Sequence, residues 1–132
     1  LVVSNLVAIH QKTGVGRLSA YCGAVSAACG AGAGITYMLG GTFQQVSDAI
    51  TNTLANVSGI ICDGAKPSCA AKIASSVDAA ILGLTMALAS NVFQAGDGIV
   101  KSDVERTIDV IRDIASEGMR KTDLTVIKHM LE

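Results

Sequence analysis

The sequence predicts an all-α fold, a compact bundle of about six helices whose buried members are rich in small residues. Three observations lead there. Half of the 132 residues are apolar, yet only 3% are aromatic and Trp is absent, which disfavours a β-sandwich. Ala (19) and Gly (14) together make up a quarter of the chain, as expected where helices cross closely. Apolar residues recur at helical spacing between short turn signals.

Each element follows in order. Residues 1–13 read as a helix with Leu6 and Ile9 on its apolar face, ended by Gly14 and Gly16. Residues 17–39 read as a second helix. Gly30, Gly32 and Gly34 each cost about 1 kcal/mol relative to Ala inside a helix, so they imply close backbone approach to a neighbour. Thr42 followed by Gln45 is a capping-box signature, and Val46, Ala49, Ile50 and Leu54 carry a third helix to about Ser58. The loop GIICDGAKPSC comes next. Pro67 suits the start of a fourth helix over about 68–93, with Ile73, Val77, Ile81, Leu84 and Leu88 as its expected apolar stripe. A turn at Gly96–Gly98 follows, then a second capping box, Ser102 with Glu105. The fifth helix sets Val104, Ile108, Ile111 and Ile114 against Arg106, Asp109, Arg112 and Asp113, the pattern of an amphipathic surface helix. Thr122 is expected to cap a short sixth helix bearing Val126, Ile127 and Leu131.

Charge and ends bound the function. A formal net charge of −1 carries no argument for nucleic acid. Leu18–Ser47 and Ala79–Gly96 hold no charged residue. Both runs are built from Ala, Gly, Ser and Cys, without the Trp or clustered Arg and Lys of a membrane boundary, and buried helices are expected rather than membrane spans. The chain starts apolar with no Met and no secretory leader pattern. It reads as a piece of a longer protein, and a cytoplasmic location is expected, where clustered cysteines tend to be metal-binding or catalytic.

The cysteines carry the chemical signal. Cys22, Cys29, Cys62 and Cys69 form two pairs, each with a separation of seven. On a helix that separation is two turns, about 10.5 Å, too far for both sulfurs to meet one small metal centre. Cys22 and Cys29 are therefore not co-ligands if 17–39 is helical. Gly64 and Pro67 let the chain turn back between Cys62 and Cys69. Spacing thus favours three ligands: Cys62, Cys69 and one of the first pair. Cys29, inside AACGAGAG, reads more simply as a small buried hydrophobe. A zinc site is an alternative, although the six-residue gap is not the usual short Cys-x2-4-Cys knuckle and His10 and His129 lie near opposite ends.

The runs YCGAVSAACGAGAGITYMLGGTFQQV and GIICDGAKPSCAAK resemble the α chain of the iron–sulfur serine dehydratases. They look closer still to a sister group, the L-cysteine desulfidases. GDGIVKSDVERTIDVI and GMRKTDLTVIKHML also resemble the C-terminal end of that group. The resemblance covers nearly the whole chain. It implies that residues 1–132 are the C-terminal iron–sulfur-binding helical domain of a protein about three times longer. It implies a [4Fe-4S] lyase that eliminates sulfide from L-cysteine, or water from L-serine, to give pyruvate and ammonia. Matched by motif, Cys22, Cys62 and Cys69 would hold the cluster, while Cys29 stands where the family tolerates other residues. Asp63 and Lys66 would lie beside the cluster as support or substrate contacts; the plainer reading is turn chemistry for Asp63 and a solvated side chain for Lys66. Asn52 and Asn56, one turn apart on the third helix, could face the site; the plainer reading is surface residues. The implied partners are a small amino-acid substrate and the N-terminal half of the same protein; a homo-oligomer is left open. An alternative is a non-catalytic helical interaction module. One departure stands out: serine dehydratases carry Cys-Asp-Pro and a longer gap, whereas here Gly64 follows Asp63.

Overall fold

The structure, a computed structural model, describes residues 1–132. Six α-helices follow one another: α1 (Val2–Val15), α2 (Gly23–Met38), α3 (Phe43–Val57), α4 (Ser68–Leu88), α5 (Val104–Asp113) and α6 (Arg120–Met130). A π-helical turn, Ile114–Gly118, joins the last two. The only β feature is an isolated antiparallel bridge between Tyr21 and Ile61. The all-α bundle predicted from composition is what forms.

α2 is the central helix and packs on α1, α3 and α4, while α5 closes α1 and α3 from the other side. Its small residues set the spacing: a Cβ on Gly30 would stand 2.4 Å from the backbone oxygen of Ser4 in α1. The core gathers Tyr21, Val25, Cys29, Leu54, Ile108 and Ile111 from four segments. The capping box at Thr42 forms as the sequence predicts, with Thr42 Oγ1 accepting from the Gln45 N–H and Gln45 Oε1 accepting from the Thr42 N–H.

Four local expectations are corrected. The second helix begins at Gly23, not at residue 17, because residues 20–22 are drawn into the bridge: Cys22 N–H donates to Ile60 O at 3.1 Å and Cys62 N–H to Ala20 O at 2.6 Å. The fourth helix stops at Leu88 rather than near 93. There Ser90 turns left-handed, with φ 59°, and the Asn52 side chain binds Asn91 O and the Phe93 N–H. The fifth helix is capped by Asp103, which accepts from the Arg106 N–H at 2.9 Å; Glu105 turns away to His10 of α1, so no Ser102–Glu105 box exists. Thr122 lies inside α6, which begins at Arg120 directly after the π turn.

The stripe expected to bury α4 is also corrected. Its inward face is Ser76, Ala79, Ala80, Gly83, Leu84 and Ala87. Ile73, Val77 and Ile81 stay exposed, at 50%, 38% and 48%, because the close contact with α2 and α3 is made mainly by small side chains, with Leu84 the one large residue on the inward face. α4 has the length and hydropathy of a membrane-crossing helix, and one third of that apolar window is buried inside the bundle.

Candidate functional site

The Tyr21–Ile61 bridge brings two distant segments together. Cys22 and Cys62 are the chain neighbours of the two bridged residues, and both pack on the main core cluster. Cys22 is the N-cap residue of α2, in extended conformation. Cys69 lies in the first turn of α4, where its N–H donates to Lys66 O at 2.8 Å. All four cysteines are free thiols; Cys22 and Cys29 are buried, Cys62 and Cys69 half-buried. Cys62, Cys69 and Lys72 all lie near enough to Cys22 to act on its charge. Burial pushes the Cys22 thiol above its ordinary value, while the Ala24 N–H pulls the other way.

Cys29 is elsewhere. It is fully buried, its thiol directed at Ile50 O of α3 at 3.8 Å, and burial raises it to about 12. Such a thiol is inert at neutral pH. The two cysteines that spacing alone left undecided are therefore separated by the structure: Cys22 stands with the second pair and Cys29 is core.

Gly64 makes the loop's turn with φ 88°, a left-handed conformation that favours glycine and that proline, locked near −65°, does not reach. Asp63 lies half-exposed and is ion-paired with Lys72 of α4. The Lys72 contact holds the Asp63 carboxyl below the usual carboxylate range, and Asp63 in turn raises Lys72. Lys72 Nζ also donates to Ile61 O at 2.9 Å. Lys66 is exposed, its backbone forming the turn between Gly64 and Cys69. Asn56 is at the surface, but Asn52 is buried, tying α3 to Gly83 O and Asn91 O and lying apart from the thiols.

Sequence reasoning missed Lys72. The available signal was its position: it is the one basic residue of α4 and sits three after Cys69, on the same helix face. Beside the thiols runs an apolar groove of about 470 Å³ between α2 and α4, lined by Ala24, Ala27, Ala31, Cys69, Ile73 and Val77. No three His, Cys, Asp or Glu side chains converge tightly enough for a single metal ion. Three thiols, one cation and an apolar groove can bind a centre that spans several sulfurs, and admit a small molecule beside it.

Comparison with known proteins adds family and length. The serine dehydratase alpha chain profile matches residues 1–128. The UPF0597 protein of Lachnoclostridium phytofermentans is 61% identical over 131 residues, 99% of this chain and 31% of that protein. That of Treponema denticola is 59% identical over 132 residues, all of this chain and 31% of that protein. That of Bacteroides fragilis is 44% identical over 130 residues, 98% of this chain and 30% of that protein. The chain thus spans somewhat under one third of the length of these relatives. No solved structure matches it.

Proposed function

We propose a function on one premise: this chain belongs to the serine dehydratase alpha chain family. The reading is that it supplies the three-thiol [4Fe-4S] site of an amino-acid lyase, with L-cysteine as the substrate. The observation that supports it is that Cys62 and Cys69 lie near enough to Cys22, across the Tyr21–Ile61 bridge, to act on its charge, while Cys29 is sealed in the core.

The donor set fits such a group. Three free thiols are soft ligands suited to iron–sulfur centres. Thiolates on different irons of a cluster stand further apart than the donors of one ion, so the lack of a tight three-donor group argues against mononuclear zinc rather than against a cluster. When bound, a cluster with three thiolates supplies one iron without a protein thiolate, a Lewis acid for the β-substituent of the substrate.

The chain's own residues do the rest. Cys22 sits at the N-terminus of α2, where the helix dipole favours an anion. The Lys72 ammonium adds positive charge beside Cys22 and Cys62. Asp63 is committed to Lys72 and so holds the loop rather than serving as a free base. The overall elimination balances as L-cysteine giving hydrogen sulfide and aminoacrylate, which takes up water and releases ammonia and pyruvate. The α-proton acceptor and the groups that bind the substrate carboxylate and amine are assigned to the part of the family polypeptide outside these residues. A cytoplasmic location fits four free cysteines. The exposed Ile73 and Val77, which line the groove with Cys69, suit a face that this remaining part covers, closing the site from water.

The test is iron and acid-labile sulfide content of the full-length protein prepared without oxygen, then sulfide release from L-cysteine. About four iron per chain with sulfide release is expected. Iron with pyruvate from L-serine and no sulfide from L-cysteine would move the assignment to serine. Protein that stays free of iron after reconstitution would sink the cluster reading and leave a helical interaction module.

A further inference from the structure

We infer that Lys72 is the positioning residue of the thiol site, a clamp that fixes the Cys62 arm against α4; the inference rests on the three-cysteine reading above. Three links converge on this side chain. Lys72 lies one turn beyond Cys69 on the same face of α4. Its ammonium donates to Ile61 O at 2.9 Å and pairs with Asp63, so it grips the backbone immediately before Cys62 and the side chain immediately after it. Ile61 is in turn the bridge partner of Tyr21, the neighbour of Cys22. One cation therefore connects the segments that carry all three thiols.

The clamp answers a physical need. The arm from Gly59 to Pro67 has no helix of its own, and its backbone is held to the segment just before α2 by only the two bridge hydrogen bonds, Cys22 N–H to Ile60 O and Cys62 N–H to Ala20 O. Such an arm opens locally at low cost. The Lys72 side chain is only 23% exposed, and part-burial strengthens a charge-assisted contact relative to a free surface pair. A lysine, with three donors on one compact head, can serve a carbonyl and a carboxylate together. No other cation is placed to do so: Lys66 acts on Asp63 through space but makes no hydrogen bond to it.

The experiment compares Lys72→Met, Lys72→Arg and Asp63→Asn with the unaltered protein in two readouts. The first is amide hydrogen exchange at Cys22 and Cys62 in metal-free protein. The second is iron uptake with the visible spectrum after anaerobic reconstitution. Lys72→Met is expected to speed exchange at both amides about tenfold while α1, α2 and α3 keep their protection. It is also expected to cut iron uptake to about half or less. Lys72→Arg should restore both, and Asp63→Asn should fall between. Exchange at Cys22 and Cys62 that is unchanged in Lys72→Met overturns the clamp, as does faster exchange with full iron uptake and an unchanged spectrum. If the unaltered protein takes up no iron, the cluster reading fails, while the exchange measurement still decides whether Lys72 holds the arm. If Lys72→Met loses helix protection throughout, Lys72→Arg and Asp63→Asn decide: restored exchange in the first and intermediate exchange in the second uphold the clamp, and any other pattern overturns it.

Discussion

Cys22 and Cys29 are the same residue type seven apart, and their surroundings separate them. Cys22 ends an extended segment at a helix N-cap, while Cys29 is sealed in the core with its thiol raised to about 12. Replacing Cys29 with Ala should therefore cost only about 1 kcal/mol of packing and leave iron uptake intact. Replacing Cys22, Cys62 or Cys69 with Ser should abolish that uptake with little loss of helix content, checked by iron analysis and circular dichroism. Asn52 carries a structural load instead. Its side chain serves Gly83 O, Asn91 O and the Phe93 N–H from a buried position, so Asn52→Ala should destabilise the fold by about 3 kcal/mol in urea titration, the cost of stranding buried polar groups. Asp63 gives a pH signature. Its pKa is lowered in the folded state by Lys72, so its contribution is full above the ordinary carboxylate value of 3.8 and fades as the pH falls through the depressed value below it. Hydrogen exchange at Cys62 should accelerate over that acidic range in the unaltered protein and show no such step in Asp63→Asn.

At the scale of elements, caps and crossings decide where helices begin and how closely they pack. The Thr42–Gln45 box was legible because both partners lie within four residues. Thr42→Ala should lower stability by about 1 kcal/mol, read as a drop in Tm. The similar spacing at Ser102 and Glu105 misled, because Glu105 has a better partner in His10, 95 residues away in sequence. Asp103 takes the cap instead, so Asp103→Ala should lower Tm, whereas Asp103→Asn, which keeps an acceptor, should do so less. The α3–α4 crossing is set by Gly83, where an added Cβ would stand 2.7 Å from Thr53 Oγ1 and 3.0 Å from Ala49 O. Gly83→Ala should therefore destabilise by about 1–3 kcal/mol through overpacking, despite the higher helix propensity of Ala.

Across the whole molecule, many large apolar side chains stay exposed. Leu6, Phe43, Ile73, Ile81 and Leu82 are each about half exposed or more, and α4 carries apolar side chains well outside its buried face. A helix that is hydrophobic beyond one stripe is suited to burial on more than one side, in keeping with relatives about three times this length. Ile81→Lys should change the stability of this chain alone by less than about 0.5 kcal/mol. In the full-length family protein the same change should be clearly destabilising, measured as the difference between the two Tm shifts. Equal shifts would show that this face stays open.

By itself, the sequence determined the helical class, the six segments, the Thr42 cap, the need for glycine at close crossings, and a cysteine pattern that favoured Cys62 and Cys69 with one member of the first pair. These are consequences of local signals: periodicity, turn residues and spacing within a few residues. The resemblance then pointed to Cys22. Only the tertiary structure decided which face of α4 is buried, where α2 begins, that Asp63 belongs to Lys72, and that Cys22 stands apart from the sealed Cys29. Each of those depends on a pairing between segments far apart in the chain, above all Tyr21 with Ile61. Periodicity reports that a residue is apolar; which surface receives it is set by how closely neighbouring backbones approach. Small residues make that approach, and they carry almost no pattern of their own.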